Sequence, residues 1–157
     1  MLSTPDISDK FPDCNVITDL NHYGGICKFC GQVTTVDCFE DNSLIKTALS
    51  KVNVGGVLVV SGKKSKKVAL LGDNIALMAK NNGWTGIVID GYVRDIELLK
   101  KINIGVVALG SNPRKSKKEN KGEINIDIRI NNVIIKQGNW LYADLNGIII
   151  SSKELKL

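Results

Sequence analysis

Aromatic side chains are scarce: two Trp, three Tyr and three Phe among 157 residues. None is interleaved with the two basic runs, Lys63-Lys64-Ser65-Lys66-Lys67 and Arg114-Lys115-Ser116-Lys117-Lys118. A base-stacking surface is therefore poorly supported, and nucleic acid is not the expected partner. Histidine is scarcer still, with His22 alone. The four cysteines stand at 14, 27, 30 and 38, and Cys27-Lys28-Phe29-Cys30 has CxxC spacing. A structural zinc would want a second close Cys pair or a Cys/His pair, and Cys14 and Cys38 are lone. A thioredoxin-type motif would follow a strand and open a helix, whereas this one precedes a β-like run. Small buried thiols in a reducing cytosol are the expectation. No window holds 18 consecutive apolar residues, which argues against a membrane span. The first residues, with Asp6, Asp9 and Asp13, lack the basic-then-apolar layout of a secretion signal. A cytoplasmic protein is expected.

Hydrophobic residues make up 43% and charged residues 24% of the chain, an ordinary globular balance. The length suits a single domain over 1–157 with a real core. The net charge of +5 comes largely from the two lysine-rich runs, without which the chain would be acidic. Such clusters can attract phosphate or anionic metabolites, but they are more often a solvated loop.

Periodicity gives the organisation. Ile7 to Phe11 reads as helical, followed by irregular chain through Gly24-Gly25. Gly31 to Phe39 alternates among β-branched residues and reads as a strand. Asp41-Asn42-Ser43 is a helix-start signal for Ile45 to Leu49. Val57 to Val60 is short and wholly apolar, as in a strand buried on both faces. Val68 to Lys80 has Leu70, Leu71, Ile75, Leu77 and Met78 at near-helical spacing, closed by Asn81-Asn82-Gly83. Gly86 to Asp90 is a second buried strand, Arg94 to Lys101 a second helix, and Ile104 to Leu109 a third strand. That order implies parallel pairing. After a polar loop at 111–122, residues 123–130 alternate strictly, and Val133 to Lys136 and Gly147 to Ser151 are also β-like. The fold class is α/β, with a parallel α/β half joined to a more antiparallel β part.

The chemistry lies in Asp73 and, after twenty intervening residues, Arg94-Asp95. From Asp73 a helix of about ten residues descends roughly 15 Å at about 1.5 Å per residue. The strand that follows climbs back about 16 Å at about 3.3 Å per residue. Both ends then land on one rim, beyond the strand C-termini where ligands of open α/β sheets collect. The Arg94 guanidinium fits a carboxylate bidentately. Asp95 offers hard oxygens suited to Mg²⁺ or Mn²⁺. Backbone N–H groups of Gly72 to Ile75 would face an anion if a helix starts there, and Asp73 could serve as a proton relay. Together they would bind a small α-keto acid and stabilise its enolate. The same residues also fit a helix cap and a surface charge pair, and spacing leaves both readings open.

At these residues the chain resembles a known family, the regulator of ribonuclease activity A (RraA) proteins and the related 4-hydroxy-4-methyl-2-oxoglutarate aldolases. The likeness runs through Cys38-Phe39-Glu40-Asp41-Asn42, Val57 to Gly62 and Ala69-Leu70-Leu71-Gly72-Asp73. It continues through Gly86-Ile87-Val88-Ile89-Asp90-Gly91-Tyr92-Val93-Arg94-Asp95, then Asn112 to Ser116 and Tyr142 to Ile148. The resemblance implies a swivelling β/β/α fold, a homotrimer, and a class II, metal-dependent aldolase (a lyase) that also decarboxylates oxaloacetate. By the same resemblance Asp95 would bind the divalent metal and Arg94 the pyruvoyl group. Gly72-Asp73-Asn74-Ile75 would cradle substrate, and Asp73 would orient the catalytic water. Other members bind ribonuclease E and restrain RNA decay, and these tend to lack one or both aspartates. This chain keeps all three residues, which favours the enzyme.

Overall fold

The computed structural model describes residues 1–157. In chain order its elements are α1 (Thr4–Lys10), β1 (Asn15–Ile17), β2 (Asn21–His22), β3 (Phe29–Asp37), α2 (Ser43–Leu49), β4 (Val57–Ser61), β5 (Ala69–Leu71) and α3 (Asp73–Asn81). Then follow β6 (Gly86–Val93), α4 (Ile96–Leu99), β7 (Gly105–Ser111), β8 (Glu123–Ile124), β9 (Ile128–Ile130), β10 (Val133–Ile135), β11 (Trp140–Asp144) and β12 (Gly147–Ser151).

A ten-stranded mixed sheet organises most of them, in the order β1-β12-β11-β3-β4-β6-β7-β2, with β5 alongside β6 and β8 alongside β3, while β9 and β10 form a separate antiparallel pair. Its centre is parallel: β3, β4, β6 and β7 run the same way. Its wing is antiparallel, where β11 joins β3 and pairs with β12, and β12 with β1. This is the α/β architecture expected from the sequence, a parallel half continued by an antiparallel part.

The wholly apolar strands are explained by burial on two sides. Leu58 and Val60 of β4, with Ile87 and Ile89 of β6, enter a core packed with α2 and α3 residues such as Ile45, Leu49, Ala76 and Ala79. Val57, Val59 and Val88 point the other way, into a core closed by Ile128 and Ile130 of β9, Ile135 of β10, and Leu141 and Ile150 of the wing. Each fully buried Val, Leu or Ile contributes about 1.5–3 kcal/mol relative to exposure, so slipping either strand by one residue would exchange two complete sets of contacts.

Several elements differ from the sequence expectation. Val68 to Lys80 is not one helix: Ala69–Leu71 is a strand against β6, and the helix begins only at Asp73. Leu70 and Leu71 are buried because they belong to the sheet, and their spacing to Ile75 and Met78 resembles a helical stripe by coincidence. The helix expected over Arg94 to Lys101 shrinks to Ile96–Leu99, because β6 extends through Val93. The alternating stretch 123–130 is broken into β8 and β9, where Asn125 adopts a left-handed φ of 63°. Strand β3 begins at Phe29 and ends at Asp37, two residues earlier at each end than the alternation indicates. Strands β1, β2 and β11 carry no clear sequence period of their own. No helix is long and apolar enough to cross a membrane.

Candidate active site

The short strand β5 aligns the site. Its last residue, Leu71, accepts a hydrogen bond at the backbone carbonyl from Arg94 N at 2.9 Å. That bond forces the Gly72-Asp73 turn and the Arg94-Asp95 turn to leave the sheet side by side. Gly72 is the N-cap of α3 and has no side chain to cap with. The Asp95 carboxylate approaches from across the turn instead: its Oδ2 accepts from Asp73 N at 3.4 Å. Such proximity requires glycine, since a Cβ at residue 72 would come within 2.5 Å of Asp95 Oδ2.

Asp95 itself is left-handed, at φ 59° and ψ 41°, a conformation that Asp tolerates better than most residues. Its carbonyl accepts from Leu98 N at 3.0 Å and Leu99 N at 2.9 Å, which starts α4. Arg94 Nε lies 3.8 Å from Asp95 Oδ2, with side-chain exposures of 42% and 35%. A pair this solvated adds little to stability. Arg94 Nη1 is also 3.5 Å from the Pro113 carbonyl, so the guanidinium spans from the turn to the 111–122 loop.

All six residues nominated from sequence, Gly72, Asp73, Asn74, Ile75, Arg94 and Asp95, line one cleft of about 460 Å³. The rest of the polar lining was not anticipated. It comprises Asn42, Ser43, Lys46 and Thr47 from the start of α2, with Lys115, Ser116, Lys118 and Asn120 from the loop. The loop is tied down and is not a solvated excursion. Ala69 N donates to the Arg114 carbonyl at 2.8 Å, and Lys117 N to the Glu40 carbonyl at 2.9 Å. The only sequence hint of this was Asp41, which looks like a helix cap and does accept from Ser43 N at 2.9 Å.

Four basic side chains (Lys46, Arg94, Lys115, Lys118) face two acidic ones (Asp73, Asp95) in the cleft. The excess favours an anionic ligand. The α3 N-terminus adds unpaired backbone donors at the same wall. What the site could hold as a metal follows from its donors. Nowhere do three or more His, Cys, Asp or Glu residues converge as a ligand group. A single hard, half-exposed carboxylate at Asp95, beside open cleft volume, fits a cation that keeps most of its water, as Mg²⁺ and Mn²⁺ do. It does not fit zinc. The four cysteines are all free thiols, but only Cys38 is buried as expected; Cys14 and Cys30 are half-buried, and Cys27, in the irregular chain ahead of β3, is exposed. Burial, with Asp37 and Asp41 adding to it, pushes the Cys38 thiol up to about 12.

The chain matches the family described as "RraA-like: Aldolase/RraA" over residues 4–150. It belongs to the RraA-like family. A Hahella chejuensis protein provisionally named 4-hydroxy-4-methyl-2-oxoglutarate aldolase is 40% identical, over 98% of this chain and 95% of its own. The structure described as the RNA-processing inhibitor RraA from Thermus thermophilis superposes with a TM-score of 0.97 at 37% identity, covering 99% and 96% of the two chains. A Geobacillus kaustophilus structure described as S-adenosylmethionine: 2-dimethylmenaquinone methyltransferase gives 0.96 at 42% identity, covering 98% and 97%. Three different activities are thus attached to one RraA-like fold, so activity has to be argued from the cleft and not from the fold.

Proposed function

We propose that the cleft is the active site of a divalent-metal-dependent aldolase, a lyase that cleaves 4-hydroxy-4-methyl-2-oxoglutarate to two molecules of pyruvate. The observation that carries this reading is the convergence of Asp73, Arg94 and Asp95 on one cationic cleft. The aldolase names of relatives about 40% identical support it.

The chain's own residues divide the work. Arg94 holds the substrate carboxylate next to the 2-oxo group through its donor fork and so fixes which carbon–carbon bond lies against Asp73. Asp73, directly or through a water it orients, takes the proton of the C4 hydroxyl. The C3–C4 bond then breaks and its electron pair passes to C3, giving one pyruvate and the enolate of a second. Returning the proton to C3 completes the cycle. Asn74 and Ile75 amides at the start of α3 face the developing negative charge. A Mg²⁺ or Mn²⁺ ion held by Asp95 would supply Lewis acidity toward the 2-oxo oxygen. Oxaloacetate loses CO₂ by the same electron movement, so decarboxylation is a companion activity of the site.

The test is pyruvate release from 4-hydroxy-4-methyl-2-oxoglutarate with Mg²⁺ or Mn²⁺, against the same protein in chelator. Metal-dependent release supports the proposal; equal release with and without metal, or none at all, removes it.

A second reading has one observation in its favour, the 0.97 TM-score to the protein described as an RNA-processing inhibitor. On this reading the chain docks onto ribonuclease E or a comparable nuclease and restrains it without turnover. Co-purification followed by an RNA cleavage assay decides it: no complex at physiological salt dismisses the regulator. A homotrimer, with this cleft near a subunit boundary, is compatible with either reading.

A further inference from the structure

Three lysines in the cleft have no assigned task. Lys46, Lys115 and Lys118 are exposed and line the same cleft as Asp73, Arg94 and Asp95. The chain's ion pairs are Lys63–Asp37, Arg94–Asp95 and Lys121–Glu119, so none of the three is neutralised by the protein. One comes from α2 and two from a loop more than sixty positions later, yet they share one surface.

What brings them together is Asp41, only 1% exposed. Its Oδ1 accepts from the Ser43 hydroxyl at 2.6 Å and from Ser43 N at 2.9 Å, which fixes the start of α2. Its Oδ2 accepts from Glu119 N at 2.6 Å, which fixes the loop. Asn120 N donates to Ser43 Oγ at 3.2 Å, and Asn42 N to Ser116 Oγ at 3.2 Å. One buried carboxylate thus locks the Lys46 wall to the Lys115 and Lys118 wall. A solvated loop would not need such a staple, and like charges placed together without an anion repel one another.

The geometry points to Lys46, Lys115 and Lys118 as the subsite for the second carboxylate of a dicarboxylic 2-oxo acid, with Asp41 as the positioning residue that presents them. This inference rests on the aldolase reading for the identity of the first carboxylate, the one held by Arg94. It adds the discrimination: a ligand with an anion at each end spans from Arg94 to the lysine wall, while a monocarboxylate leaves that wall unmatched.

The matched probes are 2-oxoglutarate and 2-oxopentanoate, equal in chain length and differing in the terminal carboxylate. Dissociation constants are measured by calorimetry in Mg²⁺ for the full chain, for Lys46→Met, Lys115→Met and Lys118→Met singly and together, and for Asp41→Asn. The wild type should favour 2-oxoglutarate. The triple variant should lose about tenfold or more for 2-oxoglutarate and stay within about twofold for 2-oxopentanoate, as expected for lost charge-assisted hydrogen bonds. Asp41→Asn should raise KM for the dicarboxylic substrate while kcat holds. Parallel loss for both probes, or no change for either, overturns the inference. The lysine variants keep the test intact if Asp41→Asn fails to fold. Selective binding without pyruvate release leaves the subsite standing and removes the aldolase. Pyruvate release indifferent to the lysines does the reverse. A wild type that binds neither probe contradicts both.

Discussion

Asp95 Oδ2 reaches back to the backbone nitrogen of Asp73, 3.4 Å away, across a turn that has room for it only because residue 72 is glycine. Two segments separated by a helix and a strand are thereby coupled at the point where the chemistry is proposed.

Gly72→Ala tests that coupling. The added Cβ would sit 2.5 Å from Asp95 Oδ2, and the carboxylate is the group free to move. Residue 72 has a φ of −133°, which alanine adopts without strain, so thermal stability should change little. Displacing a site group by about 1 Å can cost about 10²-fold in rate. The comparison is kcat/KM against Tm for the same variant: a large fall in the first with a small change in the second. An unchanged rate would mean that the Asp95 position is immaterial.

The left-handed backbone of Asp95 makes a different prediction. Held at φ 59°, it is a conformation that glycine adopts freely and L side chains at some cost. Asp95→Gly should therefore keep or raise Tm while abolishing pyruvate release. A marked loss of stability on removing the side chain would show that Asp95 serves the fold and not the site.

Buried carboxylates set opposite pH trends. Burial pushes the Asp41 carboxyl up, but hydrogen bonds from the Ser43 hydroxyl and from the Ser43, Glu119 and Lys121 amides outweigh it and hold it below the usual carboxylate range. A depressed folded-state pKa contributes stability above the unfolded value and loses it as pH falls through the folded value. The acid limb of the stability curve should flatten in Asp41→Asn. Asp90 is the converse: burial raises it, Lys64 only partly opposing, and its Oδ1 has no hydrogen-bond partner. A raised carboxyl weakens the fold as pH climbs above the unfolded value. Asp90→Asn should therefore be more stable than wild type at pH 7, with the difference fading near pH 4. Denaturant midpoints across pH 3–8 check both signs.

Thiol labelling tests the reading of the cysteines as plain thiols. At pH 8 iodoacetamide should modify exposed Cys27 and leave Cys38, whose thiol is pushed up to about 12, unreacted in the folded protein. Mass spectrometry with a bound zinc, or with Cys27 and Cys30 already disulfide-linked, would contradict it.

Much of the fold was legible because its central strands are buried on both faces: Val57 to Val60 and Gly86 to Asp90 leave few alternatives to a parallel core. The Asp73 and Arg94-Asp95 juxtaposition was legible because a crossover fixes where its ends return. The helix boundary at Asp73 was obscured by Leu70 and Leu71, whose burial comes from pairing with β6, a partner that lies further along the chain. Strand β11 owes its existence to β3 and β12, and nothing in Trp140–Asp144 states that alone. The lysine wall was hidden for the same reason. Lys115 and Lys118 sit in a stretch with loop composition, and only long-range contacts such as Asp41 Oδ2 to Glu119 N and Ala69 N to the Arg114 carbonyl show that this loop is a wall of the cleft.

The central claim is that one carboxylate, Asp95, makes the cleft a metal-dependent aldolase site. It is tested most directly by pyruvate release from 4-hydroxy-4-methyl-2-oxoglutarate at saturating Mg²⁺, comparing wild type with Asp95→Asn. Asparagine keeps the shape and tolerates the left-handed backbone, so only the charge is lost. The account predicts a fall of about 10²-fold or more, near what chelator produces with the wild type. Equal rates for the two proteins would contradict it.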